Sequence, residues 1–209
     1  MQPFKYTIVI GTSAGGLKVL GELLKDLKAD MNAAVFVVLH LSKKSNVDVL
    51  QEILQRGSLL PVKEARHGEE IKRGHVYLAP VDEHLFVKKD TIVLTKRPTE
   101  NRWRPAIDVL FRSAAEAYGS RVIGIILSGL LNDGTSGMHA IKKAGGVTIV
   151  QEPGEAEFED MPNNVIKNVQ VDYRVSVSDM PFILQDVLSR EPGPNQELQE
   201  GTDFINSND

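Results

Sequence analysis

YTIVIGTSAGGLKVLGELLKDLKADMNAAVFVVLH, residues 6–40, reads as strand, glycine-rich turn, helix and strand, and it ends on a histidine. Residues 6–10 form a β-branched and aromatic run that stops at Gly11. After the turn, Leu17, Leu20, Leu23, Leu24 and Leu27 recur at helical spacing. Residues 33–39 are apolar without interruption, as a strand covered on both faces requires. A second helix is expected from Ser45 as N-cap to Gly57, with Val47, Leu50, Ile53 and Leu54 turned inward. Strand and helix in alternation point to a parallel sheet covered on both sides.

Further along, HVYLA (75–79), LFVK (85–88) and TIVLT (91–95) read as short strands of an antiparallel excursion, the last two joined by only Lys89 and Asp90. Pro105 opens a helix that Gly119 ends. A buried strand at 121–128, a helix at 135–144, strands at 147–151 and 171–175, and a helix at 180–189 follow. The fold class is α/β: a doubly wound, mostly parallel, Rossmann-like sheet with an antiparallel hairpin insertion.

A chain of 209 residues with 42% apolar content suits one domain with a full core. Without cysteine it has no disulfide, no thiolate metal site and no cysteine nucleophile. No apolar run approaches the ~20 residues of a membrane span. The net charge of −4 is uneven: residues 1–190 carry +1, and after Arg190 there are five acidic and no basic residues. A near-neutral body gives no electrostatic ground for nucleic-acid binding. Residues 1–190 are expected to form the folded domain, and 191–209 an acidic, disordered tail or linker.

Gly11-Thr12-Ser13-Ala14-Gly15 fits G-x-S-x-G between strand and helix, the pattern of a nucleophile elbow that holds its serine in a strained turn. Free amides of the helix N-terminus lie beside such a serine, where they can stabilise an oxyanion. A phosphate-binding turn uses the same helix end, but neither common glycine-rich phosphate motif matches here. His40 falls at the carboxyl end of the strand 33–39, where open α/β sheets gather their working groups. Asp133 lies in the loop after strand 121–128, on the same rim; Asp133-Gly134 also reads as an ordinary turn. His139 is a second candidate base, and a solvated helix residue on the other reading. Hydroxyl, imidazole and carboxylate at one rim make a triad. The order Ser, His, Asp differs from that of ordinary α/β-hydrolases. His67, His75 and His84 are too widely spaced for a metal site, and neither cofactor nor metal is expected.

These residues resemble the catalytic domain of the CheB-type chemotaxis protein-glutamate methylesterases. The likeness runs through IVIGTSAGGLKVL, VVLHLSKKSN, GHVYLAPVDEHL, RPAIDVLFRSAAEAYG, IGIILSGLLNDGTSGMHAIKKAGG and the Met161-Pro162 element, in order over roughly 160 residues. It implies Ser13 as nucleophile, His40 as general base and Asp133 as the orienting carboxylate. Amides around Ala14 and the Gly129-Leu130 loop would form the oxyanion hole. It also implies hydrolysis of glutamyl methyl esters on chemoreceptors, deamidation of their glutamines, and a cytoplasmic, monomeric protein. A methyltransferase is implied as partner or fusion.

Three departures accompany the likeness. The first catalytic strand starts at Tyr6, so no receiver domain is expected ahead of it. The family's Gly-Met-Gly becomes Gly129-Leu130-Leu131, which supports a rival reading as a catalytically idle scaffold of the same fold. After His40 comes Leu41-Ser42-Lys43-Lys44 in place of a proline turn; the lysines are solvated or meet acidic receptor helices. Arg104 and Asp108 are expected to give structural support.

Overall fold

A computed structural model describes residues 4–42 and 45–193. The Lys43–Lys44 pair and residues 194–209 of the acidic tail lie outside the described residues. Glu191, at the tail's start, meets Lys5 Nζ at 2.7 Å.

Among the described residues the main sheet has seven strands: β1 (Tyr6–Thr12), β2 (Ala33–Leu39), β3 (Val62–Glu64), β4 (Val76–Leu78), β7 (Val122–Ile126), β8 (Val147–Gln151) and β9 (Tyr173–Val175). Their order is β3-β4-β2-β1-β7-β8-β9, and every pair is parallel. β1 is therefore central, and the chain winds first to one side of it and then to the other. Every residue of β1, β2 and β7 is buried, which is why their sequences are continuous apolar runs rather than alternations.

One face is closed by α1 (Gly16–Lys25), α2 (Val47–Gly57) and α6 (Met180–Ser189). Leu20, Leu54 and Leu184 pack there against Ile8, Ile10 and Val35. The other face is closed by α3 (Ile107–Tyr118), α4 (Thr135–Lys143), α5 (Asp160–Asn168) and the antiparallel hairpin of β5 (His84–Lys88) and β6 (Thr91–Thr95). Phe111, Met138, Met161 and Leu85 meet Val9 and Phe36 on that side.

Several expectations need correction. Residues 76–78 are not part of the excursion; they pair in parallel with β2, so the insertion is the β5–β6 hairpin alone. Two elements went unread, β3 and α5. Asn46, not Ser45, caps α2, its side chain accepting from the Asp48 and Val49 amides at 3.0 and 3.4 Å. Ile53 faces outward at 47% exposure, because Leu50 and Leu54 already fill the stripe against the sheet. Among the described residues no helix is long and apolar enough to cross a membrane.

Candidate functional site

The chain reverses its winding direction across β1 and β7, and the crevice beyond the carboxyl ends of such strands is where open α/β sheets bind ligands. Ser13 follows β1, His40 follows β2, and Asp133 lies in the loop after β7. The register pairs Thr12 with Leu39, and the His40 amide donates to the Thr12 carbonyl at 3.0 Å. Ser13 and His40 are thus the next neighbours past the end of one parallel pair, whose strands run ~4.8 Å apart. From the other side, the Ser13 amide donates to the Ser128 carbonyl at 3.0 Å. Serine is held between the ends of β2 and β7.

The turn differs in one respect from a strained elbow. Ser13 itself has no positive φ; the left-handed residue is Gly15, at φ 72°, the N-cap of α1. Glycine takes that conformation without the steric cost a Cβ would add, so the left-handed position of the turn falls on Gly15 and not on the serine.

Asp133 is buried and accepts four hydrogen bonds. His40 Nε2 donates to Oδ2 at 2.8 Å, the Ile107 amide to Oδ2 at 2.8 Å, the Asp108 amide to Oδ1 at 3.1 Å, and Asn101 Nδ2 to Oδ1 at 2.9 Å. Burial pushes this carboxyl up, but the hydrogen bond and charge of His40, with Asn101 and the Ile107 amide, outweigh it and hold the group below its ordinary value. Asp133 is a carboxylate whose acceptor capacity is filled.

His40 presents a different balance. Its side chain is fully buried, and among the described residues its polar contact is the bond from Nε2 to Asp133. Nδ1 is buried and has no hydrogen-bond partner among the described residues. In the tautomer that puts a hydrogen on Nε2 for the carboxylate, Nδ1 keeps its lone pair. One face of the ring is covered by Trp103, stacked at 4.0 Å between centroids and 8° from parallel.

Trp103 and Asn101 were missed from sequence. Both belong to a two-residue turn in which Glu100 and Trp103 exchange backbone hydrogen bonds at 3.0 and 2.8 Å. Asn101 and Arg102 both have positive φ, 50° and 70°, as a type I′ turn demands. A lone tryptophan in the charged stretch RPTENRWR was the available signal, since a large amphipathic ring rarely sits among charges without a partner surface.

Of the oxyanion candidates, the Ala14 and Leu130 amides bond to no atom among the described residues. The Gly129 amide is already taken, donating to the Phe158 carbonyl at 3.0 Å. Gly129 supports the site by close approach instead: a Cβ there would stand 2.1 Å from Met161 Sδ and 2.9 Å from Ser13 Cβ. Leu131 replaces the second family glycine yet keeps a left-handed φ of 68°, tied by its carbonyl to Asn164 Nδ2 at 2.9 Å. The loop therefore takes a glycine-like path at a cost of about 1–2 kcal/mol. His139 is exposed on α4, and the Asp133 bond goes to His40. Arg104 binds Asp82 at 2.8 Å and the Lys96 and Arg97 carbonyls at 2.9 Å, bracing the ends of the hairpin rather than Ser13, His40 or Asp133.

Asp108 braces the site directly: it accepts from the Gly137 amide at 2.6 Å and from Asn101 at 2.8 Å. Burial, reinforced by the Asp133 charge, pushes its carboxyl up to about 6. Because the folded protein holds this proton more tightly than the unfolded chain, stability falls as pH rises from about 4 to 6. Asp108→Asn removes that titration. Relative to wild type, the variant is expected to gain on the order of 3 kcal/mol between pH 4 and pH 7, by urea unfolding at both. A difference between the two proteins that does not change with pH contradicts the assignment.

At the switch point of this doubly wound sheet the structure joins His40 to Asp133 and sets Ser13 at the end of the neighbouring strand, its hydroxyl not hydrogen-bonded to the ring; a site so placed is typical of ligand-binding α/β proteins. Comparison with known sequences and structures narrows the class. The sequence model described as CheB methylesterase matches residues 8–184. A Leptospira interrogans protein, provisionally named protein-glutamate methylesterase/protein-glutamine glutaminase, is 39% identical over 171 residues, covering 81% of this chain and 88% of its own. The Anaeromyxobacter dehalogenans protein named protein-glutamate methylesterase/protein-glutamine glutaminase 2 is 33% identical over 180 residues, 86% of this chain and 52% of that one. The crystal structure of the Thermotoga maritima CheB methylesterase catalytic domain superposes with a TM-score of 0.84 at 35% identity, covering 87% of this chain and 98% of that domain. The chain belongs to the CheB methylesterase family.

Proposed function

We propose that this chain hydrolyses methyl esters on glutamyl side chains of chemoreceptors, with Ser13 as nucleophile, His40 Nδ1 as general base and Asp133 as the group that fixes the imidazole. The observation that carries the reading is the buried, unpartnered Nδ1 on a ring whose Nε2 is held by Asp133 at 2.8 Å, one strand away from Ser13. Ser13 Oγ attacks the ester carbonyl carbon while its proton passes to Nδ1. The carbonyl oxygen becomes an oxyanion, and the Ala14 and Leu130 amides are free to receive it. Collapse breaks the bond to methoxide, which takes the proton from the imidazolium and leaves as methanol. Water then cleaves the acyl-enzyme by the same route in reverse, releasing glutamate and restoring Ser13.

A glutamine carboxamide fits the same cycle with ammonia as leaving group, and the paired names of the relatives favour it as a second substrate. The protein is proposed to act in the cytoplasm on receptor helices, as a monomer, alongside a methyltransferase that makes its substrate. The idle-scaffold alternative has little support, since Leu131 keeps the glycine-like φ. The test is methanol release from methylated receptor fragments, together with mass-spectrometric location of a fluorophosphonate adduct. Release with the adduct on Ser13 supports the reading. A folded protein that releases no methanol and takes no label overturns it.

A further inference from the structure

The geometry points to Trp103 as a positioning residue for the general base: its indole face holds the His40 imidazole in plane and stabilises the charge the ring acquires when it takes the serine proton. This rests on the esterase reading above and adds to it a residue that acts through His40.

The need for such a residue follows from the ring's own contacts. His40 has one polar anchor, the bond from Nε2 to Asp133, and Nδ1 has none. A ring held at one atom can rock about that bond, and rocking moves Nδ1 away from the serine. Misplacement of a reacting group by about 1 Å is enough to cost ~100-fold in rate. A parallel aromatic plane at 4.0 Å blocks that motion on one side. It also matters electronically. A buried imidazolium lacks water, and an indole face over a desolvated cation attracts it more strongly than the same contact at the surface. That attraction is larger for the transition state, where the ring is charged, than for the ground state, where it is neutral. An interaction of that kind raises kcat and leaves substrate affinity alone.

Trp103 is placed with corresponding care. Its turn has two consecutive left-handed residues, Asn101 and Arg102, and is pinned by two bonds from Arg112 to the Glu100 carboxylate, at 2.6 and 2.7 Å. From the same turn, Asn101 Nδ2 reaches Asp133 Oδ1 at 2.9 Å and Asp108 Oδ2 at 2.8 Å. One short turn therefore addresses both halves of the imidazole–carboxylate pair, the ring through Trp103 and the carboxylate through Asn101.

The test compares Trp103→Phe, Trp103→Leu and Ser13→Ala with wild type, in steady-state methanol release and in the rate of fluorophosphonate labelling. Trp103→Leu keeps an apolar side chain and loses the aromatic face. It is expected to lower kcat about 30-fold, with KM within twofold and labelling slowed in parallel. Trp103→Phe keeps the stack and is expected within about fivefold of wild type. Equal rates for Leu and Phe overturn the inference, because packing alone then explains the residue. So does a raised KM with unchanged kcat, which would make Trp103 a substrate contact. If Ser13→Ala abolishes turnover while both Trp103 variants match wild type, only this inference fails. If Ser13→Ala turns over normally, the esterase reading beneath it fails as well.

Discussion

Ser13→Ala is expected to reduce kcat for methanol release by about 10⁴-fold or more while leaving the fold intact. The two effects separate because Ser13 is held by its backbone, not by its hydroxyl. Its amide donates to Ser128 O, and its carbonyl accepts from the Gly16 amide at 3.1 Å, which shapes the turn into α1. Alanine keeps both bonds, and the positive φ of the turn falls on Gly15, which is unchanged. Thermal unfolding should therefore coincide with that of wild type. Turnover above about a tenth of the wild-type rate would show that another group attacks the ester.

Asp133→Asn is expected to be nearly as damaging to rate, by about 10⁴-fold, and unlike Ser13→Ala it should also destabilise the protein. All four groups that Asp133 meets are donors: His40 Nε2, two backbone amides and Asn101 Nδ2. An asparagine offers one oxygen and one NH₂. In either orientation the NH₂ faces two donors, and a buried donor left without an acceptor costs about 1–3 kcal/mol. If the NH₂ meets the ring, it favours the tautomer with its proton on Nδ1, where the serine proton has to go. The measurements are kcat and the urea midpoint at pH 7. A rate loss below tenfold would remove Asp133 from the mechanism, and an unchanged midpoint would mean the carboxylate is not filled as described.

The centre of the fold was open to sequence reading because β1, β2 and β7 are buried on both faces and leave unbroken apolar runs. The same feature placed Ser13, His40 and Asp133 on one rim, since the end of each run marks the end of a strand. Pairing partners were not legible for short pieces. β4 has three residues, and nothing within Val76–Leu78 says that Val76 will lie beside Val35 of β2 rather than beside the hairpin. β3 buries only Val62, too little for a periodic pattern. In α5, DMPNNVIKN, only Met161, Pro162 and Val165 are buried, and a proline near the helix start reads equally as a turn. Trp103 and Asn101 escaped for another reason. Their partners lie 63 and 32 positions away, and a type I′ turn at Asn-Arg lacks the glycine that usually announces one.

The serine, the histidine and the loop of the aspartate issue from β1, β2 and β7 in turn, three adjacent strands at the middle of the seven. Such strands are normally among the last parts of a protein to open, and amides there exchange with deuterium only when the whole molecule unfolds. Loss of turnover in rising denaturant should then track loss of the far-ultraviolet circular dichroism signal, with no intermediate concentration at which an intact sheet carries a dismantled centre. Working geometry and global stability are, in this architecture, a single cooperative property.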